Sequence, residues 1–422
     1  MAVTVKARRA LEPVLRPRPG RRPPHGVRLR RASLLGRELP GGIHDPGFPE
    51  LLEGLETGPF HLGNRVEVFF RGGDAFASML AAVASAENEV LLEAYIFKHD
   101  AIGRQFAEAL ALAASRGVAV RVLADGFGSW ATRGSFWSGL RAHGVEARLY
   151  HPLWAPLRYL KFRDHRKILV VDRRIAFTGG MNIGEEYGSS VLPAGHVWRD
   201  SHARVEGPAA WEMALVFEES WRQAGGSRLG LEALALEHGP GARVMILASR
   251  PGRGAREVAA VLSAIAGAAR RNLWITMAYF APRRRAIGIL GGAARRGVDV
   301  RLLLPGQTDV PIVRHAGHGF FTPLLKRGVR IFEYRPAVLH AKTIVADGLL
   351  SVVGSSNLDF RSFELNAECN TVILDAATAQ RMEAQYEEDL ASSVEIERSA
   401  WRRRRPLHRL EDAVARRLAP LW

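Results

Sequence analysis

Two histidine–lysine pairs, 175 residues apart, carry the chemistry available to this sequence. The first lies in residues 164–187, DHRKILVVDRRIAFTGGMNIGEEY, and the second in residues 339–362, LHAKTIVADGLLSVVGSSNLDFRS. Both read H-x-K, four residues, D, six residues, G-[GS]-x-N. His165, Lys167, Asp172, Gly179, Gly180 and Asn182 thus match His340, Lys342, Asp347, Gly354, Ser355 and Asn357. The Ile, Leu and Val around each pair predict a buried strand. Residues two apart share one face of a strand, so each His and its Lys point into one site. An imidazole can attack phosphorus or protonate a leaving oxygen. An ammonium stabilises charge on phosphoryl oxygens. Asn, Ser and the backbone N–H groups of the G-S-x-N turn add donors. A single copy would read equally well as a core histidine beside a snorkelling lysine. Repetition of every polar position argues for phosphate chemistry instead.

Composition gives an independent argument. The chain has 53 arginines and six lysines, and two of those lysines stand at the matched positions. A compact ammonium and a planar guanidinium are different donors, so retention of Lys in an Arg-rich chain points to a specific need for it.

Elements that would position these pairs recur in the same order. In the first unit, residues 90–97 (VLLEAYIF), 118–124 and 145–150 read as strands. Helical periodicity falls at 74–86, 102–115 and 135–142. In the second, residues 273–280 (LWITMAYF) match 90–97 and align Tyr279 with Tyr95. Residues 295–305 match 115–125, and Gly328 matches Gly144. The first unit carries about nine extra residues in the 153–162 region. Alternating strands and helices imply an α/β sheet covered on both faces. Two copies related by a pseudo-twofold axis would bring both H-x-K faces into one cleft.

At 422 residues the chain can bury two substantial cores. The net charge of +16 calls for an acidic partner: nucleic acid, anionic membrane or phosphate substrate. A lone cysteine, Cys369, allows no intrachain disulfide and suggests a reducing compartment. No apolar run approaches the roughly 18–20 residues needed to span a bilayer, and no signal peptide is visible. Residues 1–40, rich in Arg and Pro, read as a poorly ordered basic arm. It is either a contact for anionic lipid or polynucleotide, or a solvated tail. Expected limits are an arm at 1–60, domains at 61–225 and 240–395, and a basic amphipathic segment at 396–422.

The doubled H-x-K-x4-D with G-[GS]-x-N resembles the phospholipase D superfamily over residues 64–390. The resemblance implies two tandem α-β-α domains, an internal duplication, with one pseudo-twofold active site at their interface. It implies a ping-pong reaction with no metal or other cofactor. One histidine forms a phosphohistidine and the other acts as acid and base, with His165 the nucleophile if the usual order holds. It places Lys167, Lys342, Asn182, Asn357 and Ser355 on phosphoryl oxygens. Asp172 and Asp347 complete the catalytic motif, more as structural partners than as chemical ones. A carboxylate on the strand after each motif would orient its histidine: Asp200 in WRDSH and Glu368 in LNAEC.

The flanking residues, with Gly-Gly in one motif and Gly-Ser in the other, resemble bacterial cardiolipin synthases, in a short form without N-terminal transmembrane helices. On that reading Gly180 makes room for a bulky phosphatidyl group. The implied partners are anionic phospholipid substrates, met peripherally at the cytoplasmic face of the inner membrane, with no nucleic acid. The C-terminal stretch 401–422 places Leu410, Val414 and Leu418 on one helical face opposite arginines, between Trp401 and Trp422. It reads either as an interfacial helix or as a helix packed on the domain. His315 and His318 read as loop histidines, or as residues near the phosphate. Trp198 reads as core or as a lipid wall. Rival activities on the same residues are hydrolysis to phosphatidate and a phosphodiester cleavage of DNA.

Overall fold

The computed structural model describes residues 25–55, 57–188, 197–232, 239–250, 256–404, 411–412 and 414–415. Seven strands form the first half of one sheet: β1 Phe60–Phe69, β2 Glu89–Ala94, β3 Ala119–Asp125, β4 Glu146–Tyr150, β5 Lys167–Val171, β6 Ile175–Gly179 and β7 His202–Glu206. Seven more repeat them: β8 Ala242–Ala248, β9 Asn272–Met277, β10 Asp299–Pro305, β11 Arg330–Tyr334, β12 Lys342–Ala346, β13 Leu350–Gly354 and β14 Cys369–Leu374. An edge strand, β15 Ser393–Glu395, is added beside β11. The order across the sheet is β15-β11-β10-β9-β12-β13-β14-β8-β1-β7-β6-β5-β2-β3-β4. It reads the same from either end apart from β15, so the duplication is carried through the whole sheet. The halves join where β1 pairs antiparallel with β8.

Each half is parallel at its edge (β2-β3-β4 and β9-β10-β11) and antiparallel toward the junction. The central strands KILVV and KTIVA are buried along their whole length. Continuous apolar runs of this kind suit strands covered on both faces. Helices Gly72–Ala84, Ala101–Ser115 and Gly134–Ala142 cover one face of the first half. Arg256–Ala268, Arg284–Arg295 and Pro311–Leu325 do the same for the second. On the other face, helix Pro208–Gln223 packs its Met213, Phe217 and Trp221 with Val244, Ile246 and Ile373 of the opposite half. Helix Ala376–Ala391 likewise packs Ala379 and Met382 with Val68 and Ala203. Each closing helix therefore straddles the junction and fixes the halves against each other.

The expected loose arm is corrected for part of its length. His25–Glu38 is a helix on Arg256–Ala268, with Leu29 and Ala32 buried. Close approach explains the fit: a Cβ on Gly36 would lie 2.4 Å from the carbonyl oxygen of Ala264, and one on Gly267 would lie 2.2 Å from that of Ser33. Residues 1–24 lie outside the described residues. Among the described residues no helix is long and apolar enough to cross a membrane.

Candidate active site

His165 and His340 stand just before β5 and β12, at the ends of these strands that face the other half. There the halves exchange backbone pairing. Arg163–Asp164 pairs in parallel with Asn366–Ala367, and Arg199 bridges Leu339. The His165 amide donates to Ala367 O at 2.9 Å, and that of His340 donates to Arg199 O at 2.7 Å. A bidentate Arg199–Asp389 pair at 3.0 and 2.7 Å reinforces this contact. Both imidazoles are buried and so are Lys167 and Lys342. Each ammonium turns back on its own histidine. Lys167 donates to His165 O at 2.7 Å and Lys342 donates to His340 O. Lys342 Nζ also lies 2.9 and 3.0 Å from the two ring nitrogens of His340.

Asp200 and Glu368 each meet a histidine, across the interface rather than within a half. His165 Nδ1 lies 2.9 Å from Glu368 Oε2, and His340 Nδ1 lies 2.7 Å from Asp200 Oδ2. The exchange follows from the fold: each carboxylate sits just ahead of β7 or β14, near the junction, where the opposite histidine arrives. A carboxylate accepts only, so each Nδ1 carries the proton and Nε2 is the nitrogen left for chemistry.

The Gly180/Ser355 difference has a cause other than lipid bulk. A Cβ at Gly180 would meet Asp200 Oδ1 at 2.1 Å, so the space is already filled by the carboxylate. In the other half Ser355 donates to Glu368 Oε2 at 2.5 Å, and Ser362 donates to Oε1 at 2.7 Å. Ser355, expected on a phosphoryl oxygen, is fully buried and spends its hydroxyl proton on the carboxylate. The asymmetry therefore tracks the short Asp on one side and the long Glu on the other.

Asn182 and Asn357 are buried at matched places, each accepting from a backbone amide, Ile96 and Tyr279 respectively, at 3.2 Å. Asn182 Nδ2 also donates to the Tyr187 hydroxyl at 2.7 Å. Asp172 and Asp347 lie at the far ends of β5 and β12. Seven residues from the histidine at about 3.3 Å each puts them roughly 20 Å away. Asp172 accepts from the amides of Glu87, Asn88 and Glu89 at 2.7–2.9 Å. Asp347 accepts from those of Arg270, Arg271 and Asn272 at 2.8–3.0 Å. These contacts seat the starts of β2 and β9, as suits motif positions that act as structural partners. Asp347→Ala strips an acceptor from three amides at once. It is expected to cost about 3 kcal/mol or more of stability, read as a lower denaturant midpoint with activity per folded molecule retained.

Sequence reasoning aligned Tyr95 with Tyr279 without giving them a role at the site. Their rings meet the imidazoles edge-on, Tyr95 at 4.9 Å from His165 and Tyr279 at 6.0 Å from His340. Their recurrence at the end of a repeated buried strand was the available signal. Trp198 proves to be a wall of the site, 5.3 Å from the His340 ring and 5.2 Å from Tyr187. Above the tyrosines opens a cleft of about 510 Å³, with Phe127, Leu160, Val313 and Ala316 as apolar lining and Arg163, Arg361 and Asp359 as charged lining.

His315 and His318 lie on helix Pro311–Leu325 rather than in a loop, and they bond to Asp412 at 3.3 and 3.2 Å. The cleft is lined by Val313 and Ala316 of that helix instead. Trp401 is buried against Phe321 and His318, so this end of the C-terminal stretch is packed on the domain. Val414 is half exposed, while Leu410, Leu418 and Trp422 lie outside the described residues.

The two histidines differ electrostatically. Burial holds His165 well below the ordinary imidazole range, and the charges of Lys167, Lys342 and His340 add to this. His340 is also lowered, by burial and Lys342, but Asp200 pulls it back. Burial would raise Asp200, yet His340 and Lys342 hold it below the usual carboxylate value. Glu368 is pushed by burial up to about 7, with Lys167 opposing. Burial lowers Lys167 to about 7 and Lys342 to about 8. His340 thus faces a carboxylate held toward its charged form, while burial and the nearby cations disfavour the charged form of His165.

Two buried His-Lys pairs with crossed carboxylates at the junction of a duplicated α/β fold define a phospholipase D-like phosphoryl-transfer enzyme. Comparison with known proteins agrees. The family model "Cardiolipin synthase, PLD-like domain" matches residues 79–202 and 261–390. Cardiolipin synthase 1 of Bacillus anthracis is 33% identical over 415 residues, covering 93% of this chain and 81% of that one. Cardiolipin synthase of Geobacillus kaustophilus is 34% identical over 390 residues, covering 91% and 77%. The solved phosphatidylserine synthase of Haemophilus influenzae shares the fold at TM-score 0.67 and 13% identity, over 87% of this chain and 96% of that one. The chain belongs to the cardiolipin synthase family of phospholipase D-like phosphatidyltransferases.

Proposed function

We propose that this enzyme makes cardiolipin from two molecules of phosphatidylglycerol, releasing glycerol, through a phosphatidyl-histidine. His165 Nε2 attacks phosphorus of the first lipid. The phosphorus–oxygen bond to glycerol breaks, and His340 Nε2–H gives its proton to the leaving oxygen. The hydroxyl of a second phosphatidylglycerol then passes its proton to His340 as its oxygen attacks phosphorus. The nitrogen–phosphorus bond breaks and both histidines return to their starting states. Lys167, Lys342, Asn182 and Asn357 hold the phosphoryl oxygens.

The observation that carries the order is the unequal pair of carboxylates. A charged Asp200 supports an imidazolium at His340, as a general acid requires. A nucleophile needs a neutral imidazole, and His165 is the more strongly lowered of the two. The working unit on this reading is the pair of domains 61–225 and 240–395, acting as a peripheral protein at the cytoplasmic face of the inner membrane.

The test is lipid mass spectrometry after incubation with phosphatidylglycerol vesicles. Cardiolipin and free glycerol are expected. Phosphatidate without cardiolipin would make water the acceptor and the enzyme a phospholipase. No turnover of phosphatidylglycerol, alone or mixed with phosphatidylethanolamine, would refute the lipid reading. In the same assay kcat/KM, which reports the free enzyme, should fall as pH rises through about 7 to 8. There the ammoniums of Lys167 and Lys342 discharge.

A further inference from the structure

The first half carries an extra segment after β4 that breaks the pseudo-symmetry beside the cleft. Nine more residues separate Tyr150 from His165 than separate Tyr334 from His340. This segment exposes large apolar side chains: Trp154 is 80% and Leu157 85% exposed, and Leu153 is half exposed among the described residues. The neighbouring loop after β3 adds Trp130 at 69% and Phe127 at 52%. The two loops pack at their bases, where a Cβ on Gly126 would meet Pro152 Cα at 2.4 Å. Scattered exposed apolar residues are ordinary, but a cluster of this kind marks an interaction site.

Its base is built, not loose. His151 Nδ1 meets Phe162 O at 3.2 Å, and buried Arg163 donates to His151 O at 3.1 Å and Tyr159 O at 3.2 Å. Exposed Arg158 and Lys161 alternate with the apolar residues and lie against the rings of Tyr159 and Phe162. Phe127 and Leu160 belong to these same loops and also line the cleft.

We propose that the 151–162 segment and the 126–130 loop together are the surface that enters an anionic bilayer, setting the mouth of the cleft against the lipid. Three features select a membrane over a protein partner. Tryptophan with leucine beside basic residues is the composition of an interfacial anchor. The net charge of +16 complements anionic headgroups. The patch is continuous with a cleft whose substrates, on the reading above, are themselves membrane lipids. The proposal rests on that reading, and its test separates the two.

The test is sedimentation of the full chain with phosphatidylglycerol vesicles, comparing wild type with Trp154→Ser/Leu157→Ser. Both side chains are mostly exposed, so the double variant should fold normally. The expected result is vesicle affinity weakened roughly tenfold or more. Turnover on vesicles should drop in step, while turnover of monomeric short-chain phosphatidylglycerol stays unchanged. Vesicle binding equal to wild type would overturn the proposal and place the membrane contact elsewhere. A concentration-dependent dimer of the wild type that the double variant dissolves would also overturn it, making the patch a contact between copies. Loss of binding in the variant, with no turnover by either protein, would uphold the surface and refute the activity.

Discussion

His165→Ala should lower turnover of phosphatidylglycerol by at least about 10⁴-fold, because on the proposed order it removes the imidazole that forms the nitrogen–phosphorus bond. The variant should still fold, because Glu368 keeps Ser355, Ser362 and Asn366 as donors at 2.5, 2.7 and 3.4 Å. His340→Ala should be of similar size on phosphatidylglycerol, because glycerol leaves poorly without a proton. The two variants separate on a phosphatidyl ester of a nitrophenol, whose leaving group needs no acid. His340→Ala should then release one equivalent of nitrophenol in a burst and gain the mass of a phosphatidyl group. His165→Ala should do neither. A burst and an adduct in His165→Ala but not in His340→Ala would reverse the order of nucleophile and acid.

Gly180→Ser, which makes the two motifs alike at every signature position, should be nearly as damaging. Its Cβ would lie 2.1 Å from Asp200 Oδ1 and 2.6 Å from Oδ2. The carboxylate must swing away, and His340 loses the partner that holds its ring and its charge. Loss of an oriented acid–base group costs about 10²–10⁴-fold, and the loss should appear in kcat with KM little changed. Gly180→Ala should be equally poor, because the clash comes from Cβ and not from the hydroxyl. Ser355→Ala removes one of several donors to Glu368 and should cost only about tenfold. Near-normal kcat in both Gly180 variants would show that Asp200 does not position His340. Had Gly180 served to admit lipid bulk, the penalty would fall on KM instead.

The duplication, several strands of each half and both H-x-K pairs were legible in the sequence. They are local: a period-two alternation, an apolar run and a repeated spacing are written in consecutive residues. The buried strands KILVV and KTIVA lie where the apolar runs put them. The helix His25–Glu38 was less legible, because Arg and Pro dominate the composition around it. What places it is a close backbone contact with residues more than 200 positions away. The exposed patch escaped for a related reason. Leucine and tryptophan in residues 153–157 look the same in sequence whether they end in a core or in solvent.

The sequence by itself therefore determined which atoms can react and what the fold around each pair would be, since both follow from residue type and short spacing. Only the tertiary structure decided how those atoms are paired. Glu368 serves His165 across 203 positions and Asp200 serves His340 across 140. Packing of β1 against β8 brings the two ends together, and steric contact between Gly180 and Asp200 sets the difference between the halves. Those are through-space contacts, set by where the chain returns and by how little room it leaves there.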